Sequence, residues 1–220
     1  MQITRLGHAA VLVESVGRRV LIDPGAFSSP AAFGLEHLDA VVVTHQHPDH
    51  LDRDRVPALL AANPDALLLA DPMTVEELGG RWLAHRDGDR HEVGGLVLTG
   101  AGRTHAEILP AIPVVDNVGV LVTAPGEPTF FHPGDSYGTT PHGVDVLALP
   151  LGAPWTKVSE TVEFLQRVAP RVAFPVHDCT ISALAYDIYW SHVVNHGGVD
   201  DLRRLDQTDG TEVDLTDAIA

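Results

Sequence analysis

The most constraining feature of this sequence is a run of candidate metal ligands directly after an apolar segment. Residues 39–43 (DAVVV) are predicted to form a buried strand, because short Val-rich runs are typical of strands inside a sheet. Residues 44–50 (THQHPDH) then supply four candidate ligands, His45, His47, Asp49 and His50. A strand that ends in such a cluster holds it on a rigid element, as a metal site requires. Without a metal the ligand lone pairs would lack partners, so we favour a metal site over a plain His-rich loop.

The composition indicates one domain and disfavours nucleic acid as a partner. A chain of 220 residues is long enough for a sizeable core, and we expect a single domain over residues 1–220. Thirty Asp and Glu against fourteen Lys and Arg give a formal charge of −16, which would repel a polyanion. We expect no membrane association, because the sequence shows neither a transmembrane run nor a secretory signal. Cys179 is the only cysteine, so no intrachain disulfide can form and we expect a cytoplasmic location.

Apolar periodicity and turn residues predict two packed sheets with helices on the outside. The predicted strands cover residues 3–6, 9–14, 19–23, 40–44, 66–70, 91–93, 96–100, 117–123, 129–131, 145–149 and 172–176, with another short strand within 203–215. The predicted helices cover residues 51–62, 74–85, 158–168 and 182–195, with Thr74 as the N-cap of the second.

Three further candidate ligands each follow a predicted strand. They are His105 after the strand at 96–100, Asp135 after that at 129–131, and His177 after that at 172–176. Loops at one edge of a scaffold are where binding groups concentrate. A lone His after a strand is usually a surface or core residue, but these three together with the first cluster favour one shared metal centre.

These residues and several flanking segments resemble the metallo-β-lactamase superfamily of metal-dependent hydrolases. The resemblance covers nearly the whole chain and rests on the first cluster followed by the three later candidates. The segments LGHA (6–9), LIDP (21–24) and LPLGAPWT (149–156) are similar to the branch that contains L-ascorbate-6-phosphate lactonase. The resemblance implies an α/β (α+β) fold, a four-layer αββα sandwich with the metals at one edge between the sheets.

The resemblance also implies how the ligands divide between two metal ions. The first ion would be held by His45, His47 and His105, the second by Asp49, His50 and His177, and both by a bridging Asp135. No ligand position departs from this dinuclear pattern. Diiron redox relatives carry an acidic residue where His47 stands, which argues against that class.

The donor set itself agrees with hydrolytic chemistry. Neutral imidazoles suit zinc, which we favour, and imidazoles mixed with carboxylates also suit manganese or iron. Two divalent ions about 3.5–4 Å apart can share one water and lower its pKa towards ~7, so that a metal-bridging hydroxide attacks at neutral pH. Asp49 is placed to orient this nucleophile and to accept its proton. We therefore expect a hydrolase that cleaves an ester, lactone or phosphoester bond of a small molecule.

Three residues on other loops and strands are weaker candidates for the site. The resemblance implies that Asp23 orients a ligand imidazole, and a simple turn aspartate is an equal alternative. His8 either reaches the site or is a satisfied buried residue, with the second slightly preferred. His132 is either a site residue or a solvated loop residue.

Three residues on later loops are candidate substrate contacts. Ser136 and Tyr137 directly follow a predicted ligand and could touch substrate. Trp155 lies in a loop rich in Gly and Pro, where it either walls a pocket or, as is more common for Trp, packs in the interior. Cys179 is expected to be a small buried residue. The other histidines match no ligand position and are expected at the surface, namely His37, His85, His91, His142, His192 and His196.

Two other functions stay open at this level. A mononuclear iron oxygenase acting on a thiol is one alternative, because iron-dependent dioxygenase relatives can share these residues. A non-catalytic metal-binding or ligand-sensing protein is the other, although the intact ligand set argues against it. A sugar-phosphate substrate needs cationic partners, and Arg103 is the only basic residue near a predicted ligand. We therefore do not transfer the lactonase substrate, and a homo-oligomer is left open.

Overall fold

Two β-sheets of seven strands each stack face to face in the part of the chain that the computed structural model describes, residues 1–205 and 211–213. The first sheet consists of β1 (Gln2–Arg5), β2 (Val11–Ser15), β3 (Arg18–Ile22), β4 (Ala40–Val43), β5 (Leu67–Ala70), β6 (Leu83–Ala84) and β14 (Thr211–Val213). The second consists of β7 (Arg90–Val93), β8 (Leu96–Ala101), β9 (Gly119–Thr123), β10 (Phe130–His132), β11 (Val146–Pro150), β12 (Val172–Val176) and β13 (Asp201–Leu202).

Both sheets combine antiparallel and parallel pairing. Their strand orders are β14-β1-β2-β3-β4-β5-β6 and β13-β12-β11-β10-β9-β8-β7. The strands β3 to β6 pair in parallel, and so do β10 to β13. Parallel strands end at the same edge of a sheet, where ligand sites of such sheets are found. The loops that follow β10 and β12 therefore lie at one edge of the second sheet.

Some strands are apolar on both faces, so both faces of each sheet must be covered. This produces a fold of four layers. The segments AVVV of β4 and VLALP of β11 are buried along their whole length, as expected for parallel strands covered on both sides. One apolar cluster lies between the sheets and contains side chains of both, such as Val42 and Phe174.

The outer faces of the sheets are covered by helices. These are α1 (Pro30–Phe33), α2 (Val56–Ala62), α3 (Pro72–Leu78), α4 (Val158–Val168) and α5 (Ala183–His196). The first three pack over an apolar cluster on the first sheet, and α4 and α5 over another on the second sheet. The prediction of an αββα sandwich is confirmed. Among the described residues, no helix combines the length and the apolar character that a membrane span requires.

One predicted helix begins later than the sequence pattern indicates. The helix predicted over 51–62 begins only at Val56. The carboxylate of Asp52 accepts hydrogen bonds from the backbone N–H groups of Asp54 and Arg55, both at 2.9 Å. This local turn competes with the helix, as Asp side chains commonly do.

A second predicted helix is displaced towards the N-terminus. The segment predicted over 74–85 is helical only at Pro72–Leu78. Asp71, and not Thr74, is the N-cap, because its Oδ1 accepts a hydrogen bond from the backbone N–H of Thr74 at 3.1 Å. Gly79 ends the helix with φ +62°, a conformation that glycine adopts easily. By contrast, α4 has the predicted bounds, and α5 agrees to within one residue at each end.

Strands of only two residues could not be predicted from sequence periodicity. The sequence does not predict β6 or β13, because each has only two residues. The short strand predicted within 203–215 is confirmed by β14, which pairs antiparallel with β1. The rest of that predicted segment from residue 206 onwards lies outside the described residues.

Two predictions of burial were wrong, for His85 and for Cys179. His85 is buried, with 1% of its surface exposed, because the missing side chain of Gly100 leaves room for the imidazole. A Cβ atom on Gly100 would lie 3.2 Å from His85 Nε2. Cys179 is exposed in the turn between β12 and α5. His91 is half-buried, and the other histidines expected at the surface are exposed.

Candidate metal centre

Four strands bring the candidate ligands to one edge of the sandwich. The segment His45–His50 follows β4, His105 follows β8, Asp135 follows β10 and His177 follows β12. The strands β8 and β10 run in the same direction, since both are antiparallel to β9. Their carboxyl ends therefore share an edge with that of β12.

All seven predicted ligands lie close enough together to hold metal ions. Donor atoms lie within 4.8 Å of one another in three groups, namely His45, His47 and His105; His45, His50 and Asp135; and His8, Asp49, His50 and His177. The groups overlap, because His45 belongs to two of them and His50 to two. His8, which the sequence left open, is an additional donor in the last group.

Asp135 lies between the imidazoles. Its Oδ1 is 3.1 Å from His50 Nε2, and its Oδ2 is 3.0 Å from His177 Nε2 and 3.5 Å from His105 Nε2. Burial by itself raises the pKa of this carboxyl, but His177 and His50 hold the pKa well below its usual range. The same carboxylate acts in return on His177: burial lowers the pKa of that imidazole, and Asp135 raises it to about 10. The centre therefore attracts positive charge, which a divalent cation supplies more strongly than a proton.

Hydrogen bonds fix the orientation of four imidazoles. The Nδ1–H groups of three donate to oxygen atoms on the outer side of the cluster: His50 to Asp23 Oδ2 at 2.7 Å, His105 to the Ala106 carbonyl at 2.5 Å and His177 to the Gly152 carbonyl at 2.7 Å. In the fourth, His45 Nδ1 is 3.1 Å from Thr44 Oγ1. Each Nε2 is thereby left as the lone-pair donor, which is the arrangement that metal-binding histidines use.

The buried atoms at the centre of the cluster fit a metal site. In the described part of the chain, four of them lie within 3.5 Å of an Asp135 oxygen or an imidazole nitrogen but make no hydrogen bond of good angular geometry: Nε2 of His50, His105 and His177, and Oδ1 of Asp135. A buried polar atom without a hydrogen bond is costly, so such atoms are rare in folded proteins. Cations that lie between these four atoms would explain why they converge.

Asp23 connects the first strands to the cluster. Its two carboxylate oxygens accept hydrogen bonds from the backbone N–H and the hydroxyl of Thr44, each at 2.7 Å, in addition to that from His50. The side chain is fully buried. The structure therefore places Asp23 behind a candidate ligand, in the position that the resemblance implies.

Three of the six described residues other than glycine that have a positive φ lie at the site. His8, Asp23 and His177 all have φ between +47° and +55°, which is uncommon for residues with a side chain. The backbone of Gly25 passes so close to the ligand loop that a Cβ atom there would lie 1.7 Å from the carbonyl oxygen of Asp49. Only glycine allows this approach.

His8 reaches the site. Its Nε2 is 3.2 Å from Asp49 Oδ2, and its ring centroid is 4.2 Å from that of His177. Burial lowers the pKa of His8 to about 4. For Asp49, burial raises the pKa, but the contacts with His177 and His8 bring it below the usual range. His8 is therefore neutral, fully buried and beside an ionised carboxylate, and its Nδ1 makes no hydrogen bond among the described residues.

The structure also settles where His132, Ser136 and Tyr137 lie. His132 is buried in β10 and donates from Nε2 to the carbonyl of Ala9 at 2.9 Å, so it is not a solvated loop residue. The hydroxyl of Tyr137 donates to the Pro150 carbonyl at 2.6 Å, which engages it within the protein. Ser136 and Tyr137 line a cavity next to the donor cluster.

Two residues hold Asp135 from outside the predicted ligand set. Trp155 Nε1 donates to Asp135 Oδ2 at 2.7 Å, so this side chain contacts the centre directly. Asn117, which sequence reasoning missed, accepts a hydrogen bond from the Asp135 backbone N–H at 2.9 Å and donates to the Pro133 carbonyl at 2.9 Å. No local pattern marks this asparagine, because its partners lie 16 and 18 residues later.

A pocket of about 420 Å³ opens onto the donors. Five candidate ligands form its polar part, namely His47, Asp49, His105, Asp135 and His177. The rest of the wall consists of Ala26, Phe27, Pro48, Ile108, Pro154, Trp155 and Thr180. A small molecule in this pocket would contact the donor cluster and a largely apolar wall.

Comparisons with known proteins agree with this architecture. The model of the beta-lactamase superfamily domain matches residues 2–177, a range that includes all seven predicted ligands. Protein Rv0786c of Mycobacterium tuberculosis is 42% identical over 194 residues, 88% of this chain and 91% of the relative. A UPF0173 metal-dependent hydrolase of Aeropyrum pernix is 30% identical over 216 residues, 84% of this chain and 86% of the relative. The structure of Igni18, a metallo hydrolase from Ignicoccus hospitalis, has the same fold, with a TM-score of 0.71 at 19% identity over 97% of this chain and 98% of that one.

The αββα sandwich, its edge cluster of His and Asp and the matched domain define a protein of the metallo-β-lactamase superfamily. Within that superfamily, the chain belongs to the UPF0173 metal-dependent hydrolase family.

Proposed function

We propose that this protein is a dinuclear metal-dependent hydrolase that cleaves an ester, lactone or phosphoester bond in a small molecule. The observation that carries the proposal is the set of four buried ligand atoms that converge without hydrogen bonds. The family supports hydrolysis as the reaction, and the resemblance to the lactonase branch supports a lactone among the candidate bonds.

The donor groups support two ions per chain. His45, His47 and His105 would hold one ion, and Asp49, His50 and His177 the other, because each set lies within 4.8 Å. Asp135 would contact both, since its Oδ2 lies 3.5 Å from His105 Nε2 of the first set and 3.0 Å from His177 Nε2 of the second. Imidazole and carboxylate donors favour zinc, with manganese or iron as the alternatives.

The side chains around the ions have separate tasks. When bound, the metals supply Lewis-acid polarisation of the bond to be cleaved and acidify the attacking water. Asp49 stays ionised at neutral pH, orients that water and accepts its proton. The water oxygen bonds to the carbonyl carbon or the phosphorus, the bond to the leaving oxygen breaks, and that oxygen takes up a proton. Asp23 and the Gly152 carbonyl hold the rings of His50 and His177 in place.

Metal analysis combined with a hydrolysis screen tests this proposal. We expect two divalent ions per chain and turnover of at least one lactone, ester, thioester or phosphodiester, lost with a chelator and restored by zinc or manganese. One iron per chain with oxygen consumption and no hydrolysis would instead support the oxygenase. Metal binding without any turnover would support a non-catalytic binding protein.

A further inference from the structure

We infer that the substrate is an uncharged carboxylic ester or lactone whose apolar group lies against the wall formed by Phe27, Ile108, Pro154 and Trp155. This inference rests on the proposed hydrolase function and narrows its substrate class. It is carried by the shape and charge of the pocket beside the donor cluster.

Apolar side chains from separate loops form this wall. Phe27 lies between β3 and α1, Ile108 lies in the loop after His105, and Trp155 lies between β11 and α4. Phe27 is 54% exposed, although a phenyl ring has much to gain from burial. An apolar substrate group that covers this ring and its neighbours would remove them from water.

Among the residues that the structure describes, the pocket has no basic side chain that could pair with an anionic group of the substrate. This applies to a group that lies away from the bond to be cleaved. No Lys or Arg is among the described residues that line the pocket. Arg103, two residues before the predicted ligand His105, lines a different cavity, where its Nε is 3.4 Å from Asp87 Oδ2. A phosphate or carboxylate on the remote part of a substrate would lose its hydration here without a charged partner.

A neighbouring cavity also disfavours anionic groups of a substrate. It has a volume of about 500 Å³ and shares His105 and Trp155 with the first pocket. Its wall carries three carboxylates, Glu107, Glu160 and Glu163, against one guanidinium, Arg167. That guanidinium already donates to the Tyr137 carbonyl at 2.8 Å. An anion that extends past Trp155 would therefore meet net negative charge.

A series of p-nitrophenyl esters tests the inference on the full-length, metal-loaded protein. Acetate, butyrate and octanoate vary the apolar group, and mono-p-nitrophenyl succinate replaces the terminal methyl of butyrate by a carboxylate. We expect kcat/KM to rise about 15-fold from acetate to butyrate, because each buried methylene is worth roughly a factor of four. We expect the succinate to be hydrolysed at least about tenfold less efficiently than butyrate.

Three variants locate these effects in the pocket. Phe27→Ala should lower the ratio of kcat/KM for octanoate to that for acetate. Ile108→Lys should raise the ratio of succinate to butyrate about tenfold by placing a cation in the wall. Leu109→Lys is the matched control, because Leu109 is 56% exposed on the same loop and is not part of the pocket wall. Its added charge should act weakly, through screened solvent.

The outcomes separate this inference from the proposed function. Hydrolysis that is independent of chain length, or a succinate cleaved as well as butyrate, would overturn the apolar substrate and leave the hydrolase standing. An equal change in Ile108→Lys and Leu109→Lys would show that net charge, and not the pocket, sets the preference. No turnover of any ester or of δ-decalactone by the metal-loaded protein would overturn this inference, and a further lack of turnover of bis-p-nitrophenyl phosphate would overturn the proposed function as well.

Discussion

The candidate metal centre and the His85–His91 pair both bury imidazole nitrogens that make no hydrogen bond, yet their surroundings differ. Neither ring nitrogen of His85 makes a hydrogen bond within the described residues, and nor does Nε2 of His91. The two rings lie 5.2 Å apart. In the described part of the chain, no third donor joins them to form a ligand group.

The difference lies in carboxylates and in outer hydrogen bonds. At the metal centre, Asp135 raises the pKa of His177 to about 10, although burial opposes this. Burial lowers the pKa of His85 to about 4, with His91 acting in the same direction. Carboxylates outweigh burial at His177, whereas burial outweighs them at His85 and also at His8 of the metal centre. A cluster of buried histidines therefore indicates a metal site only when carboxylates and orienting hydrogen bonds accompany it.

The largest expected effect tests whether a carboxylate at the centre is needed for catalysis. Asp49→Ala should reduce kcat/KM on the order of 10³-fold or more, because it removes a ligand and the group that orients the water. With chelator present, the thermal midpoint should differ little from that of the wild type, since the side chain lies in a loop and leaves no core cavity. The matched control is Asp54→Ala, an exposed carboxylate five residues further on. Turnover close to that of the control would refute the role of Asp49.

Metal removal should lower the stability of the protein through the candidate metal centre and should leave the His85–His91 pair unaffected. At a free metal concentration of about 100 times Kd, binding contributes ~2.7 kcal/mol to stability. For a chain of this size, a chelator should therefore lower the thermal midpoint by about 5–10 °C, and added metal should restore it. The gap should narrow as the pH falls, because protons compete with the metal for ligand imidazoles such as His177, whose pKa is raised to about 10. An identical midpoint with and without chelator at pH 7, with metal loss verified by elemental analysis, would contradict this.

The contribution of the outer hydrogen bonds can be measured separately. Asp23→Asn should weaken metal binding about 10- to 100-fold, because an amide has only one acceptor oxygen. It cannot accept both from the Thr44 backbone N–H, which bonds Oδ1, and from His50 Nδ1 and the Thr44 hydroxyl, which bond Oδ2. Competition with a chromophoric chelator measures the change. Asp65→Asn, which alters an exposed carboxylate, should bind metal as the wild type does. Equal affinities for the two variants would show that orientation of His50 is not important.

The smallest effect is expected at His85. Its folded pKa lies below the ordinary value of 6.5, so the unfolded chain binds more protons between pH 6.5 and about 4. Stability is therefore complete above this window and is lost as the pH falls through it. Between pH 7 and 5, the wild type should lose about 2 kcal/mol more than His85→Leu.

Denaturant titrations at both pH values, with chelator present, measure this difference without interference from the metal. The control His142→Leu changes an exposed histidine and should lose stability in acid as the wild type does. If His85→Leu also behaves as the wild type, the buried pair does not contribute to acid sensitivity.

Sequence patterns predicted two packed sheets with outer helices and the seven candidate ligands. Both rest on local patterns: a strand such as β4 is recognisable from its own Val residues, and the ligands stand next to strand ends. The parallel direction of those strands then brings the ends to one edge. Helix α4 was equally predictable, because its apolar spacing and its Glu160 capping contact lie within the helix itself.

Tertiary structure alone decided which of the other residues join the centre. In the structure His8 follows β1 and His85 follows β6, but only His8 contacts a carboxylate of the metal centre, that of Asp49, 41 residues away. Trp155 reaches Asp135 across 20 residues. The burial of His85 depends on a glycine in another strand. Burial and hydrogen bonding are set by atoms that meet only when the sheets stack, so no pattern along the chain contains them.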